Sequence, residues 1–175
     1  MIEVELRSFL TLERFNELLM YFQKNSTPKG KDEQITYYFD GEQDLRIQKN
    51  LNYSKVWLKK GKLHDNAREE IEIKLPCEDF EKLEQLFLSL GYNISIKWLR
   101  ERHTFEWNGT TVMLDYTKGY GHIIEMEKLC DENEKEKAIK ILNQKFTELK
   151  IPITPKEEFD KTYQNYKKNW KTIIQ

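Results

Sequence analysis

Short stretches of this chain place ionic side chains two residues apart. Glu3 and Glu5 precede Arg7 in the opening MIEVELRSF, and Glu125 and Glu127 stand in HIIEMEK. Between them come Arg46 and Gln48 in DLRIQ, then Lys55, Trp57 and Lys59 in KVWLK, then Arg68, Glu70 and Glu72 in REEIEI. Arg100 and Arg102 follow in LRER, and Asp115 in VMLDY. Carboxylate oxygens are the donors that hard Mg²⁺ or Mn²⁺ takes, and guanidinium forks match phosphate oxygens two at a time. Such groups together can hold a polyanionic phosphate beside a divalent ion, whose charge lets carboxylates and phosphates share one space.

A spacing of two places side chains on one face of a strand. Opposite Glu3, Glu5 and Arg7 lie Ile2, Val4 and Leu6; opposite Arg46 and Gln48 lie Leu45 and Ile47; opposite Glu125 and Glu127 lie Ile124 and Met126. A sheet packed on helices with its other face in water explains this alternation. It does not explain why acidic pairs collect in the first and last strands and basic or basic-polar pairs in the middle ones, since solvated sheets mix signs. Sorted blocks point to a site.

The elements that must position these residues are legible in the same way. Leu12, Phe15, Leu18, Leu19 and Phe22 recur at helical spacing after Thr11, predicting a helix over about 11–24 that fades at NSTPKG. Phe80, Leu83, Leu86, Phe87 and Leu90 predict a second, with Gly91 at its C-terminus. DENEKEKAIKILNQKFTELK predicts a third, and TPKEEF opens a fourth with Thr154 as N-cap, Pro155 at the first helical position and Glu157 closing a capping box. The fourth helix carries Phe159, Tyr163, Tyr166 and Trp170 on one side. Between the helices the period is two, through QITYYFD, DLRIQKN, KVWLKKG, REEIEIKL, IKWLRERHTFEW, TTVMLDY and HIIEMEKL, with Asn108-Gly109 as a hairpin turn. The fold class is α+β, either a sheet covered on one side or a barrel.

Composition bounds the function. At 175 residues the chain is expected to be one domain over 1–175. Its 29 Lys and Arg balance 30 Asp and Glu for a net charge of −1, which offers no global attraction to nucleic acid or to a membrane. No window approaches the roughly 20 apolar residues of a membrane span, and Cys77 and Cys130 read as reduced thiols outside any CxxC. A soluble cytoplasmic protein, monomer or homodimer, is expected. His64, His103 and His122 are scattered, and GYG at 119–121 precedes a strand rather than a helix, so it reads as a tight turn and not a phosphate loop.

At this point the motifs themselves become recognisable. EVELR resembles the ExExK signature of the CYTH superfamily, also called triphosphate tunnel metalloenzymes. LRIQ, LKKG, REEIEI, RERHTF and LDYTKGYGHIIEMEK are similar, in order, to that family's LRxR, LTxKxG, RxExE, KxRxxY and LDxxxGxGxxxExE stretches, and EFDKTYQNY to its closing Ser-Tyr segment. The resemblance implies an eight-stranded antiparallel β-barrel with helices packed outside and a charged tunnel that takes triphosphate with a divalent metal. It implies metal-facing carboxylates at Glu3, Glu5, Glu125 and Glu127, with Asp115 as a further acid, and phosphate ligands at Arg46, Arg100 and Arg102. Strand parity adds Lys59, since Lys60 shares a face with Val56 and Leu58, and turns Arg68, Glu70 and Glu72 inward too.

The expected activity is a Mg²⁺- or Mn²⁺-dependent hydrolysis of inorganic tripolyphosphate or a small organic triphosphate, with water activated near Glu3, Glu5 and Arg7. Glu5 and Arg7 are thus the expected catalytic pair. Two rivals share these groups: a class IV-like adenylate cyclase, which makes cyclic AMP and pyrophosphate from ATP, and a triphosphate-binding module without turnover. Arg7 stands where the family keeps lysine, Gln48 where it keeps a basic residue, and Trp57 where it keeps a small polar one. A tunnel-facing Trp57 stacks on a substrate ring or fills a barrel end.

Overall fold

The computed structural model describes residues 2–59 and 70–175. Its elements run β1 (Ile2–Leu10), α1 (Leu12–Asn25), β2 (Thr27–Phe39), β3 (Asp44–Lys49), β4 (Ser54–Lys59), β5 (Glu70–Leu75), α2 (Phe80–Ser89), β6 (Ile94–Glu106), β7 (Thr111–Thr117), β8 (Gly121–Cys130), α3 (Lys135–Glu148) and α4 (Lys156–Ile173). The strands form one sheet of eight in the order β1-β8-β7-β6-β2-β3-β4-β5. Every neighbouring pair is antiparallel. The sheet curls into a half-barrel, so that β1 from one end of the order and β4 and β5 from the other line the same cavity. The α+β, eight-stranded antiparallel expectation holds, with the helices outside.

Alternation along the strands decides which face goes where. Val4, Leu6, Leu114, Ile124 and Met126 turn outward and pack with Phe15, Leu18 and Phe22 of α1 and Leu142 and Phe146 of α3. Each fully buried side chain of this size contributes roughly 1.5–3 kcal/mol. Phe80 and Leu83 of α2 cover Phe39 and Ile47, and Tyr163, Tyr166 and Trp170 of α4 cover Ile96 and Trp98. With the apolar residues spent on the helices, the ionic set is left to the inside of the curl.

Local signals place most boundaries. Thr11 caps α1 by accepting the amide of Arg14 at 3.2 Å. Asn108 and Gly109, at φ 49° and 72°, make the two-residue β6–β7 turn, where the paired positive φ suits this sequence. Gly119, at φ 74°, lies against the end of α4, where a Cβ would sit 1.7 Å from Ile173 Cγ2. Two expectations fail. α1 ends at Asn25, within NSTPKG as expected, but the strand expected from Gln34 in QITYYFD begins already at Thr27, with a register shift between Pro28 and Gly30. Thr154 does not cap α4, whose N-cap position is Pro155 without a side-chain bond. The Thr154 hydroxyl is instead bound to β1: it accepts the Phe9 amide at 3.0 Å and lies 2.9 Å from Ser8 Oγ, which itself donates to the Pro152 carbonyl at 2.5 Å.

Candidate active site

The inside of the curl is a cavity of about 390 Å³. β1 supplies Glu3, Glu5 and Arg7, and β8 supplies Glu125 and Glu127. Register sets their pairing: Glu5 stands opposite Glu127, and Arg7 opposite Glu125. One oxygen from each of Glu3, Glu5 and Glu127 lies within 4.8 Å of the other two. An oxygen-only, carboxylate-rich donor set of this kind, crowded against its own repulsion, fits a hard divalent cation.

Burial and neighbouring charge act on these carboxylates unequally. Burial, followed by the neighbouring Glu3 carboxylate, pushes Glu127 up to about 8. Burial and the Glu125 carboxylate push Glu5 up to about 7, against the pull of Arg7 and Lys59. Burial acts upward on Glu125 too, but there Arg102, Arg100 and Arg7 outweigh it and hold the carboxyl at about 2. Glu3, Glu5 and Glu127 converge in one cluster, while Glu125, whose charge acts on Glu5 and Glu127, is itself held by the cations.

Two of the four described guanidiniums lining the cavity, Arg100 and Arg102, are carried by β6. Arg102 grips Asp115 fork to fork, with Nε donating to Oδ1 at 2.8 Å and Nη2 to Oδ2 at 2.6 Å, and Nη2 also reaches Glu125 Oε2 at 2.5 Å. Arg7 Nη1 lies 3.2 Å from Glu5 Oε1 and 3.9 Å from Glu125 Oε1. Arg100 donates from Nη1 to Asp115 Oδ2 at 3.3 Å and from Nε and Nη2 to the Gln34 carboxamide oxygen at 2.8 and 2.6 Å. Asp115 is therefore engaged beneath two arginines and is only 2% exposed. It stands apart from the Glu3, Glu5 and Glu127 cluster.

The far strands complete the lining. Arg46 is bound at Nε and Nη2 by both oxygens of Asp44, each at 2.6 Å, and its guanidinium lies over Tyr38 at 4.3 Å. Lys55 bonds Glu72 at 2.7 Å and sits 4.4 Å over the Trp57 ring, which is buried at 5% exposure. Lys59 lines the cavity, and its charge reaches both Glu5 and Glu125. Arg68 and Lys60 lie outside the described residues. Among the described histidines, His103 approaches Glu101 and His122 stacks on Tyr116, neither lining the cavity.

Some lining residues carry no charge and escaped the sorting by charge. Gln34 and Tyr38 of β2 enter the cavity, as do Phe159 and Tyr163 of α4. The signal for the first two was present in QITYYFD, where Gln34, Thr36 and Tyr38 share a parity. Arg7 leans on Phe159, its guanidinium carbon 4.9 Å from the ring centre, so α4 closes the cavity beside the acidic strand.

A curled antiparallel sheet enclosing sorted carboxylates and guanidiniums is the architecture of a charged-tunnel protein. The chain belongs to the CYTH domain family, whose model matches residues 1–163. A stretch of 74 residues is 35% identical to MJ0240 of Methanocaldococcus jannaschii, provisionally named an adenylate cyclase. That match covers 42% of this chain and 41% of the relative, so the chain spans about two fifths of the curated protein it matches. A conserved hypothetical protein from Pyrococcus furiosus superposes with a TM-score of 0.72 at 26% identity, over 86% of this chain and 91% of that one. A Hippeastrum protein, provisionally named an adenylyl cyclase and described as having a dominant triphosphatase activity, shares the fold at a TM-score of 0.66 and 18% identity, over 94% and 95% of the two chains.

Proposed function

We propose that this protein is a divalent-metal-dependent triphosphate hydrolase acting on inorganic tripolyphosphate or a small organic triphosphate inside the half-barrel. The observation that carries this reading is the meeting, in one cavity of about 390 Å³, of the Glu3, Glu5 and Glu127 cluster with Arg7, Arg100 and Arg102. Glu3, Glu5 and Glu127 would hold Mg²⁺ or Mn²⁺, which when bound draws negative charge off the phosphoryl oxygens. Arg100, Arg102 and Lys59 bind those oxygens, and Glu125 and Asp115 keep the arginines in place. Arg7 and Glu5 orient a water for in-line attack on the terminal phosphorus. As its oxygen bonds to phosphorus the bridging P–O bond breaks, the water proton passes to Glu5, and tripolyphosphate yields orthophosphate and pyrophosphate.

The names carried by the Methanocaldococcus and Hippeastrum relatives support two chemistries on one scaffold. The second, cyclisation of ATP, draws on the aromatic lining from Tyr38, Trp98 and Tyr120, against which a nucleobase could stack. One assay separates the readings: purified protein with Mg²⁺ or Mn²⁺ and tripolyphosphate, ATP or thiamine triphosphate, with orthophosphate, pyrophosphate and cyclic AMP measured. Metal-dependent orthophosphate release is expected. Cyclic AMP with pyrophosphate would replace hydrolase by cyclase, and metal-dependent binding without product would leave a binding module.

A further inference from the structure

The arginines facing the cavity are not held alike. Arg102 is gripped by Asp115 and Glu125, and Arg46 by both oxygens of Asp44, so each has carboxylate charge directly against it. Arg100 is held mainly by a neutral group, the Gln34 carboxamide oxygen, which receives Nε and Nη2. Among the described residues its only carboxylate contact within 4 Å is Asp115 at 3.3 Å, an oxygen that Arg102 holds closer at 2.6 Å. A guanidinium has five N–H donors, so Arg100 keeps two beyond these bonds.

The orientation of Gln34 is itself determined. Its amide nitrogen donates to Asp32 Oδ2 at 2.8 Å, which turns its oxygen toward Arg100. Gln48, buried at 4% exposure, donates to Thr36 Oγ1 at 2.9 Å and to the same Gln34 oxygen at 3.3 Å. Gln48 occupies the position where the family resemblance leads one to expect a cation. A lysine or arginine there would add positive charge beside Arg100; the amide adds none and instead supports the group that aims it.

We propose that Gln34 is a positioning and specificity-determining residue, a neutral anchor that fixes the Arg100 guanidinium without cancelling its charge and so makes Arg100 the principal phosphate receptor of the cavity. Gln48 sets the anchor by bonding the same oxygen. This inference rests on the reading of the cavity as a triphosphate site. It assigns the selective contact to a pair of amides that sorting by charge does not reveal. A charged anchor would give Arg100 the same geometry with its field neutralised, as Asp44 does for Arg46.

The test compares Gln34→Glu and Gln34→Met with the parent protein for tripolyphosphate binding by calorimetry and for turnover with Mg²⁺, with thermal melting as the check on folding. Gln34→Glu keeps an acceptor facing Arg100 but supplies the missing negative charge; Gln34→Met removes the acceptor without placing charge beside Asp32. Both are expected to weaken tripolyphosphate binding, Gln34→Glu by about tenfold or more, or about 1.4 kcal/mol, and Gln34→Met by less. The loss should appear in KM more than in kcat. Gln34→Glu binding as tightly as the parent overturns the charge argument, whether or not Gln34→Met is impaired. Unchanged binding in both variants removes Gln34 from the site while leaving the hydrolase reading intact, and a parent protein that binds no tripolyphosphate removes both.

Discussion

Glu5 and Glu127 face each other directly across the β1–β8 pairing, two carboxylates at the one cross-strand position where like charges repel most. An ordinary sheet avoids that arrangement. Here Glu3 joins the pair, and burial, with neighbouring carboxylates adding to it, raises the pH at which Glu5 and Glu127 ionise. On the proposed reading the cluster gives up stability for cation binding, and substitutions can separate the two.

Glu127→Gln keeps the cluster's shape and, above the pH of about 8 at which Glu127 ionises, removes one charge from it. At about pH 9 the metal-free variant is expected to melt higher than the parent, by up to a few °C, if relieving a like-charge cross-strand pair is worth roughly 0.2–1 kcal/mol and each kcal/mol moves a chain of this size about 2–4 °C. Turnover is expected to fall about 100-fold or more, as for loss of a group that acts in the transition state. Melting with and without Mg²⁺ and orthophosphate release check the two arms. A variant both less stable and fully active would contradict the cluster's role.

Glu5 and Glu127 also set a pH dependence whose sign can be worked out. Both ionise above the ordinary 4.5, at about 7 and about 8, so between those values and 4.5 the folded metal-free protein binds more protons than the unfolded chain. Stability from these groups therefore falls as pH rises from 4.5 through 8. Glu125, held at about 2, acts oppositely: its contribution is present above 4.5 and is lost as pH falls toward 2. Melting curves of metal-free protein are expected to decline from about pH 6 to pH 8.5, and saturating Mg²⁺ to flatten that slope, because a cation among the carboxylates replaces the protons.

Arg100 and Arg102 sit two residues apart on β6 yet should fail differently. Arg102→Met removes the closest partner of Asp115, 2% exposed, and of Glu125, leaving them only the longer contacts to Arg100 at 3.3 Å and Arg7 at 3.9 Å, and breaking such a buried pair costs up to about 3–5 kcal/mol. Arg100→Met leaves Asp115 paired with Arg102. Denaturant titration is expected to show a large loss for Arg102→Met and a small one for Arg100→Met, while both lose activity.

Strand parity made the inward set legible because polar and apolar residues alternate through the stretches that matter, residues 2–7 of β1, 44–48 of β3 and 124–127 of β8. Register was not legible: nothing in MIEVELRSF says that Glu5 rather than Glu3 meets Glu127, and that pairing decides which carboxylates crowd. Asp115 read as one more acid because residue type carries no information about partners, and its binding by Arg102 depends on the β6–β7 register. Gln34 went unread because neutral amides leave no charge pattern. Pro28 and Gly30 disguised the start of β2, where the strand pairs with β6 but β3 joins only from Ile35 onward; a proline is tolerated there because its missing N–H breaks no ladder bond on that side.

The fourth helix gives the sharpest contrast between a sequence motif and the bonds that form. TPKEEF spells a capping box, yet Thr154 Oγ1 accepts the Phe9 amide and meets Ser8 Oγ, tying the start of α4 to the strand that bears Glu3, Glu5 and Arg7. Thr154→Val keeps shape and β-branching but removes the acceptor, leaving the Phe9 N–H unmatched at a cost of about 1–3 kcal/mol. Because Phe159 of α4 lines the cavity and supports Arg7, the same change should lower kcat/KM while leaving the carboxylate cluster in place. Glu157→Ala, the other half of the unformed box, lies exposed and is expected to stay within about 0.5 kcal/mol of the parent. Denaturant unfolding of the two variants decides the matter: equal losses would restore Thr154 to a capping role, and a loss confined to Thr154→Val assigns its hydroxyl to the join between α4 and β1.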